Sequence, residues 1–145
     1  MNIKEATRKM KQDSFRMAAL SGEQRNAALE AVRIALLANR EAIFKANHED
    51  MEAAEKAGIA AAVMKRLKFD EHKLQDVTAG IAELIKLPDP LSKVQLAREL
   101  DKGLELYRVT CPIGVIGIIF EARPDALVQI SSLCLKSGKI GRAHV

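Results

Sequence analysis

The stretch Cys111–Gly138, "CPIGVIGIIFEARPDALVQISSLCLKSG", decides the fold. Its first part, Ile113 to Phe120, is a continuous apolar run rich in β-branched residues. Such a run belongs to a strand in the middle of a sheet, covered by helices on both faces. Gly114 and Gly117 leave room for a neighbouring backbone to approach. The tight "EARP" turn follows, and Pro124 suits the first position of a helix. Leu127, Ile130 and Leu133, with Cys134 beside it, line one face of that helix until Ser137 and Gly138 end it. Strand, turn and helix form the opening half of a βαβ unit, whose crossover requires a second parallel, apolar strand. The chain offers "KIGRAHV" there, which is expected to be unfit for a covered central position and to leave the sheet incomplete.

Upstream, residues 1–90 read as helices. Asn2 is placed to cap the first, and "SGEQ" is a capping box in which Ser21 and Gln24 satisfy each other's backbone. The next helix carries Ala28, Val32, Ala35 and Leu36 on one face. Asn47 is expected to cap "HEDMEAAEKA", Gly58 to end it, and Asp70 to cap a helix whose face is Leu74, Val77, Ile81 and Ile85. Pro88 and Pro90 close that helix. Residues 91–110 change to period two. "KVQLAREL" and "LELYRV", joined by Asp101, Lys102 and Gly103, read as a β-hairpin, a candidate oligomerising arm.

Composition narrows the function classes. Of 145 residues, 48% are apolar and the formal charge is +4, with no basic block set apart from acidic neighbours. With no Trp and one Tyr there is no platform for stacked bases, so nucleic acid is not an expected partner. No apolar run is long enough for a bilayer, and the amino terminus has no apolar signal region, so a cytoplasmic protein is expected. Cys111 and Cys134 form no CxxC pair, and His48, His72 and His144 are scattered, so no metal site is expected. Both cysteines read as packing residues.

The chemistry-bearing candidate is the turn from Phe120 to Pro124. It lies where the carboxyl end of a central strand meets a helix amino terminus, the crevice in which open α/β sheets bind ligands. That helix start favours anions, and Glu121 and Arg123 put charge on the lip. From position alone, a surface pair or local cap and a functional role stand level for these two. There is no GxGxxG and no P-loop.

At this turn "GVIGIIFEARPDAL…CLKSG" resembles the γ-glutamyl phosphate reductase (glutamate-5-semialdehyde dehydrogenase) family, and so in turn the aldehyde dehydrogenase superfamily. "ALSGEQRNAAL", "ANREAIFKANHEDMEAAEKAGI", "KRLKF" and "IAELIKLPDPL" extend the likeness over nearly all of residues 1–138. The resemblance implies an α/β, aldehyde dehydrogenase-like fold. Residues 1–90 would be the N-terminal helical segment of the cofactor domain and 91–110 the hairpin arm. Residues 111–138 would be the first strand and helix of a Rossmann-like cofactor domain. It implies NADPH-dependent reduction of L-glutamyl 5-phosphate to the semialdehyde in proline biosynthesis, with phosphate release. A cysteine thiolate would attack the acyl phosphate and the thioester would accept hydride. It also implies a homo-oligomer and an association with glutamate 5-kinase. The family's nucleophilic cysteine lies beyond Gly138, so neither Cys111 nor Cys134 takes that role. Ile119, Phe120, Glu121 and Ala122 take the place of the superfamily's cofactor-lining turn. Arg123 stands where its oxyanion-stabilising Asn would be, and a guanidinium there could contact the acyl phosphate.

Two further readings stand beside this one. Residues 1–90 could be a free-standing helical binding or oligomerisation module, or the chain could be a relative acting on another acyl phosphate or aldehyde. The last seven residues carry their own expectation. Ile140–Val145 is what ATC-GGA-AGA-GCA-CAC-GTC encodes, which resembles a sequencing-library adapter, so residues 139–145 are expected to be non-native. The chain would then be an inactive N-terminal fragment.

Overall fold

The computed structural model describes residues 3–144, as six helices and four strands. The elements are α1 (Ile3–Ala18), α2 (Gly22–Ala38), α3 (Arg40–Lys56), α4 (Ala61–Leu67), α5 (Glu71–Lys86), β1 (Val94–Asp101), β2 (Leu104–Val109), β3 (Val115–Ile119), α6 (Pro124–Lys136) and β4 (Ile140–His144). Asn2, the expected first cap, lies outside the described residues.

Local chemistry sets most element boundaries. The Ser21 hydroxyl accepts from the Gln24 N–H at 3.1 Å, and the Gln24 side chain accepts from the Ser21 N–H at 2.9 Å, closing the capping box. Asp70 caps α5 by accepting from the Lys73 N–H at 3.1 Å, and Gly58 turns the chain with φ +68° after α3. Asn47 departs from expectation: α3 runs through it without a break. Its amide instead donates to the Leu67 carbonyl (2.9 Å) and accepts from the Phe69 N–H (2.7 Å), pinning the α4–α5 connection. Tertiary demand for those two backbone groups outweighs the local preference of Asn for a cap.

The core lies where α2, α5 and α6 meet. Phe69, Leu74 and Val77 are its centre, with Leu36, Ile43, Phe44 and Val128 packed around them. The α5 face is as expected, with Ile81 joining Leu74 and Val77 in burial. On α2 the inward face carries Arg25 and Leu29, rotated from the expected stripe, and Val32 is exposed. On α6 the buried positions are Ala126, Ser132, Cys134 and Lys136, whereas Leu127 and Leu133 are exposed. Periodicity finds an apolar face but cannot say which neighbour lies against it, and here a polar cluster claims that position.

That cluster joins three distant parts of the chain. Arg25, 2% exposed, donates through one guanidinium nitrogen to both Asp89 carboxylate oxygens at 2.6 and 2.5 Å, and through another to the Leu20 carbonyl. Lys136, 6% exposed, donates to the Asn26 side chain (2.8 Å) and to the Ile85 (3.1 Å) and Leu87 (2.7 Å) carbonyls. The last two are carbonyls at the end of α5, that of Ile85 also accepting from the Asn26 amide at 3.3 Å, so α2 and a lysine from α6 together close that helix. A Cβ at Gly22 would stand 2.5 Å from an Asp89 carboxylate oxygen, so a larger residue there would displace the side chain that Arg25 holds.

Strands β1 and β2 pair antiparallel from Val94↔Val109 to Asp101↔Leu104, with every residue of both exposed. Thr110 fixes the root: its hydroxyl donates to the Pro90 carbonyl (2.8 Å) and accepts from the Lys93 N–H (2.9 Å). Ile140–His144 forms β4 and pairs parallel with β3 from Val115↔Ile140 to Ile119↔His144, giving a βαβ unit whose sheet has two strands. A parallel ladder needs only backbone groups and no proline, which this stretch supplies. β3 is not covered on both faces either: Ile119 is 85% exposed and Gly117 is open. The accessible surface, 10209 Å², exceeds the roughly 7,300 Å² typical of a compact monomer of this mass. The excess is apolar face and hairpin without cover.

Two outcomes follow from these bonds. Asn47→Ala strands the Phe69 N–H and the Leu67 carbonyl, and urea unfolding should show a loss of about 2 kcal/mol. The Asp89 carboxyl is held below the usual range, chiefly by the Leu91 N–H and then by Arg25. A depressed folded value means its stabilisation is present above the unfolded value near pH 4 and is lost as pH falls through the folded one. Asp89→Asn should lower stability at neutral pH and flatten the acid limb of a urea-midpoint profile below about pH 4.

Candidate functional site

The candidate site is the connection from β3 to α6. β3 carries the chain to Ile119, whose side chain projects into solvent at the carboxyl end of the strand. Ala122 then adopts φ +47°, in the left-handed region that non-glycine residues enter at a cost of about 1–2 kcal/mol. Alanine in place of glycine gives no sequence signal for such a turn. Arg123 occupies the cap position of α6 at φ −137°, ψ 76°, without a side-chain capping bond, and Pro124 opens the helix. The Arg123 carbonyl accepts from the Ala126 N–H at 3.1 Å, tightening the first turn.

The five residues singled out from the sequence therefore divide into two kinds. Ile119, Glu121 and Arg123 are exposed, and neither charged side chain makes an ion pair or hydrogen bond among the described residues. Phe120 is half-buried and turns beneath the connection. There it lines a small cavity of about 60 Å³ with Ile118, Leu127, Ile130, Ser131 and Gly141. Phe120 is a packing residue that supports the turn from below. Ala122 contributes backbone, bent just before Arg123 takes the cap position of α6.

Two charged residues that sequence reasoning passed over complete the site. Asp125, in the first turn of α6, has a side chain only 17% exposed, and its Oδ1 is buried without a hydrogen bond. Lys73 reaches from the first turn of α5 to stand 3.8 Å from that oxygen, while donating to the Arg66 carbonyl at 3.0 Å. An aspartate in a first helical turn reads as a routine dipole partner. Only the packing of α5 on α6 brings the lysine to it.

The cysteines lie away from the turn. Cys134 packs against the sheet, where the place of a Gly141 Cβ would be 3.0 Å from its sulfur, and burial pushes its thiol pKa up. That inert state matches its reading as a packing residue. Cys111 does not: it is exposed beside Pro112, on a polar hollow of about 320 Å³ shared with Arg25 and Asp89. Among the described residues no three His, Cys, Asp or Glu side chains come together as a metal site, and no helix is long and apolar enough to cross a membrane. An apolar groove of about 310 Å³ runs between α5 and α6, lined by Val77, Ile81, Leu84 and Leu133, and includes no residue of the turn.

Comparison with known proteins gives a consistent picture. No protein-family model matches the chain. The γ-glutamyl phosphate reductase of Acetivibrio thermocellus is 56% identical over 138 residues, which span 95% of this chain and 32% of that protein. That of Ruminiclostridium cellulolyticum is 61% identical over 125 residues, 86% of this chain and 29% of the relative. Among solved structures, γ-glutamyl phosphate reductase from Thermotoga maritima superposes with a TM-score of 0.92 at 29% identity, covering 96% of this chain and 34% of its own. The Saccharomyces cerevisiae enzyme gives a TM-score of 0.87 at 38% identity, covering 93% and 35%. The chain thus spans about a third of the length of the relatives it matches. By sequence and by fold, it belongs to the γ-glutamyl phosphate reductase family and matches the N-terminal part of its members.

Proposed function

We propose that this chain is the N-terminal part of an NADPH-dependent reductase. Its reaction converts L-glutamyl 5-phosphate to L-glutamate 5-semialdehyde with release of phosphate, in the proline-forming branch of cytoplasmic amino-acid metabolism. The observation that carries the reading is the Phe120–Arg123 turn. It joins a parallel strand to a helix amino terminus and carries a guanidinium with no partner among the described residues, in a chain more than half identical to the Acetivibrio reductase.

The residues present fit one wall of a nicotinamide site. Ile119 offers a bare apolar side chain, a Cβ at Gly117 would meet nothing within 4 Å, and Ala122 bends the backbone away from the strand. Together they form an open ledge beside a helix start. Ile119, Glu121 and Ala122 would line the cofactor there, with Phe120 holding the ledge from beneath. When bound, the cofactor supplies hydride.

Arg123 is assigned to the substrate. A guanidinium presents two parallel N–H donors to phosphate oxygens, a geometry lysine cannot reproduce. At the start of α6 it adds to the partial positive charge of that helix. Its task is to hold the acyl phosphate and to offset charge as phosphate departs. The nucleophile would come from the part of the protein beyond the matched third.

The remaining partners follow from the same reading. β1 and β2 form the arm through which two copies would associate, the whole protein being a homo-oligomer that associates with glutamate 5-kinase. The hairpin supports this by shape: a two-stranded ribbon with both faces in water is marginal without cover.

In the whole protein, Arg123→Lys should lower kcat/KM for L-glutamyl 5-phosphate by about tenfold, equal to the loss of one charge-assisted hydrogen bond. The KM for NADPH should stay within about twofold. Steady-state kinetics with the acyl phosphate generated by a kinase makes the test, and unchanged kcat/KM removes Arg123 from the substrate site.

A further inference from the structure

We infer that Lys73 positions Arg123 by holding Asp125 away from it. The inference rests on Arg123 facing the substrate, as proposed above. Asp125 stands two residues beyond Arg123 at the same helix start, and on this proposal its carboxylate chooses between that guanidinium outward and α5 inward. The structure shows the inward choice. Asp125 Oδ1 is buried, accepts no hydrogen bond among the described residues, and has Lys73 Nζ 3.8 Å away as its counter-charge.

An exposed arginine offers that carboxylate a better partner than this, with two donors in a fork. What keeps Asp125 inward is that Lys73 cannot follow it out. The ammonium is tied to the Arg66 carbonyl at 3.0 Å and its side chain is only 26% exposed. Lys73 is itself fixed to the start of α5, where its N–H donates to the capping Asp70. Three helices, α4, α5 and α6, thereby set the position of one charge. With Lys73 neutral, a part-buried carboxylate is left without compensation, and the cheapest relief is rotation towards Arg123. The fork that should meet phosphate would then be spent on Asp125.

Two measurements decide this. In the 145-residue chain, the Arg123 Nε–Hε signal in ¹⁵N NMR should shift and exchange more slowly in Lys73→Met. It should return to its wild-type position in Lys73→Met/Asp125→Asn, and stay there in Lys73→Arg. Lys73→Gln, which can still bond the Arg66 carbonyl, replaces Lys73→Met if the latter melts early. In the whole protein, Lys73→Met should raise the KM for L-glutamyl 5-phosphate about tenfold while kcat and the KM for NADPH change less than about twofold, with the double variant restored. An Arg123 signal that does not move in Lys73→Met overturns the inference whatever the activity. So does a double variant that melts like the wild type yet keeps the raised KM. A moved signal in a whole protein without reductase turnover leaves this inference standing and overturns the proposed function instead.

Discussion

The placement of Lys136 is the constraint on which the rest of the structure depends. A lysine 94% removed from water is unfavourable unless its donors are satisfied, and here the three bond acceptors are all neutral. Burial accordingly pulls its pKa below the usual lysine range, with nearby Asp89 opposing that fall. The arrangement holds because those acceptors include two carbonyls at the end of α5, where helix geometry leaves them no intrahelical donor. One ammonium thus solves the problem of a helix end and joins α6 to α2 and α5. Arg25 and Asp89 do the same for the Pro88–Pro90 linker, so the hairpin and the strand–helix turn are both set from one polar centre.

This centre explains why the apolar core can be small. Few large apolar side chains are fully buried, Leu29, Leu74 and Ile81 among them, while many of that type face solvent. A larger apolar core would need more cover than α1 to α6 supply. The charged centre fixes relative helix positions by direction and distance instead, which apolar packing alone does loosely. The turn at residues 120–123 inherits that precision, because α6 is held at its far end by Lys136 and at its near end by Asp125.

How much of this was readable from the sequence follows the range of each interaction. The Ser21 capping box, the Asp70 cap, the Gly58 turn and the Pro124 helix start are decided within four residues, and each stands where local chemistry puts it. The hairpin was legible because its alternation and its Gly103 turn are also local. Asn47, Arg25 and Lys136 misled or escaped the reading because their partners lie 20 or more residues away. The same limit applied at the site. Arg123 stood out by position and by family resemblance, whereas Asp125 and Lys73 become a pair only after two helices pack. The strand at Ile140–His144 was not legible in its side-chain pattern, because a parallel ladder asks only for a backbone able to pair.

The hairpin has a mechanical consequence. Eight residues of β1 give a ribbon about 25 Å long, attached through Pro90, Ser92, Lys93 and Thr110 and exposed along its whole length. It acts as a lever whose fulcrum is its root. A tilt of about 10° at that root carries the tip roughly 4 Å. Ser92, held at φ +57° within the fulcrum, ties the ribbon's angle to a single strained backbone conformation. Small changes around Asp89, one bond away at Leu91, would therefore be read out as large displacements at Lys102.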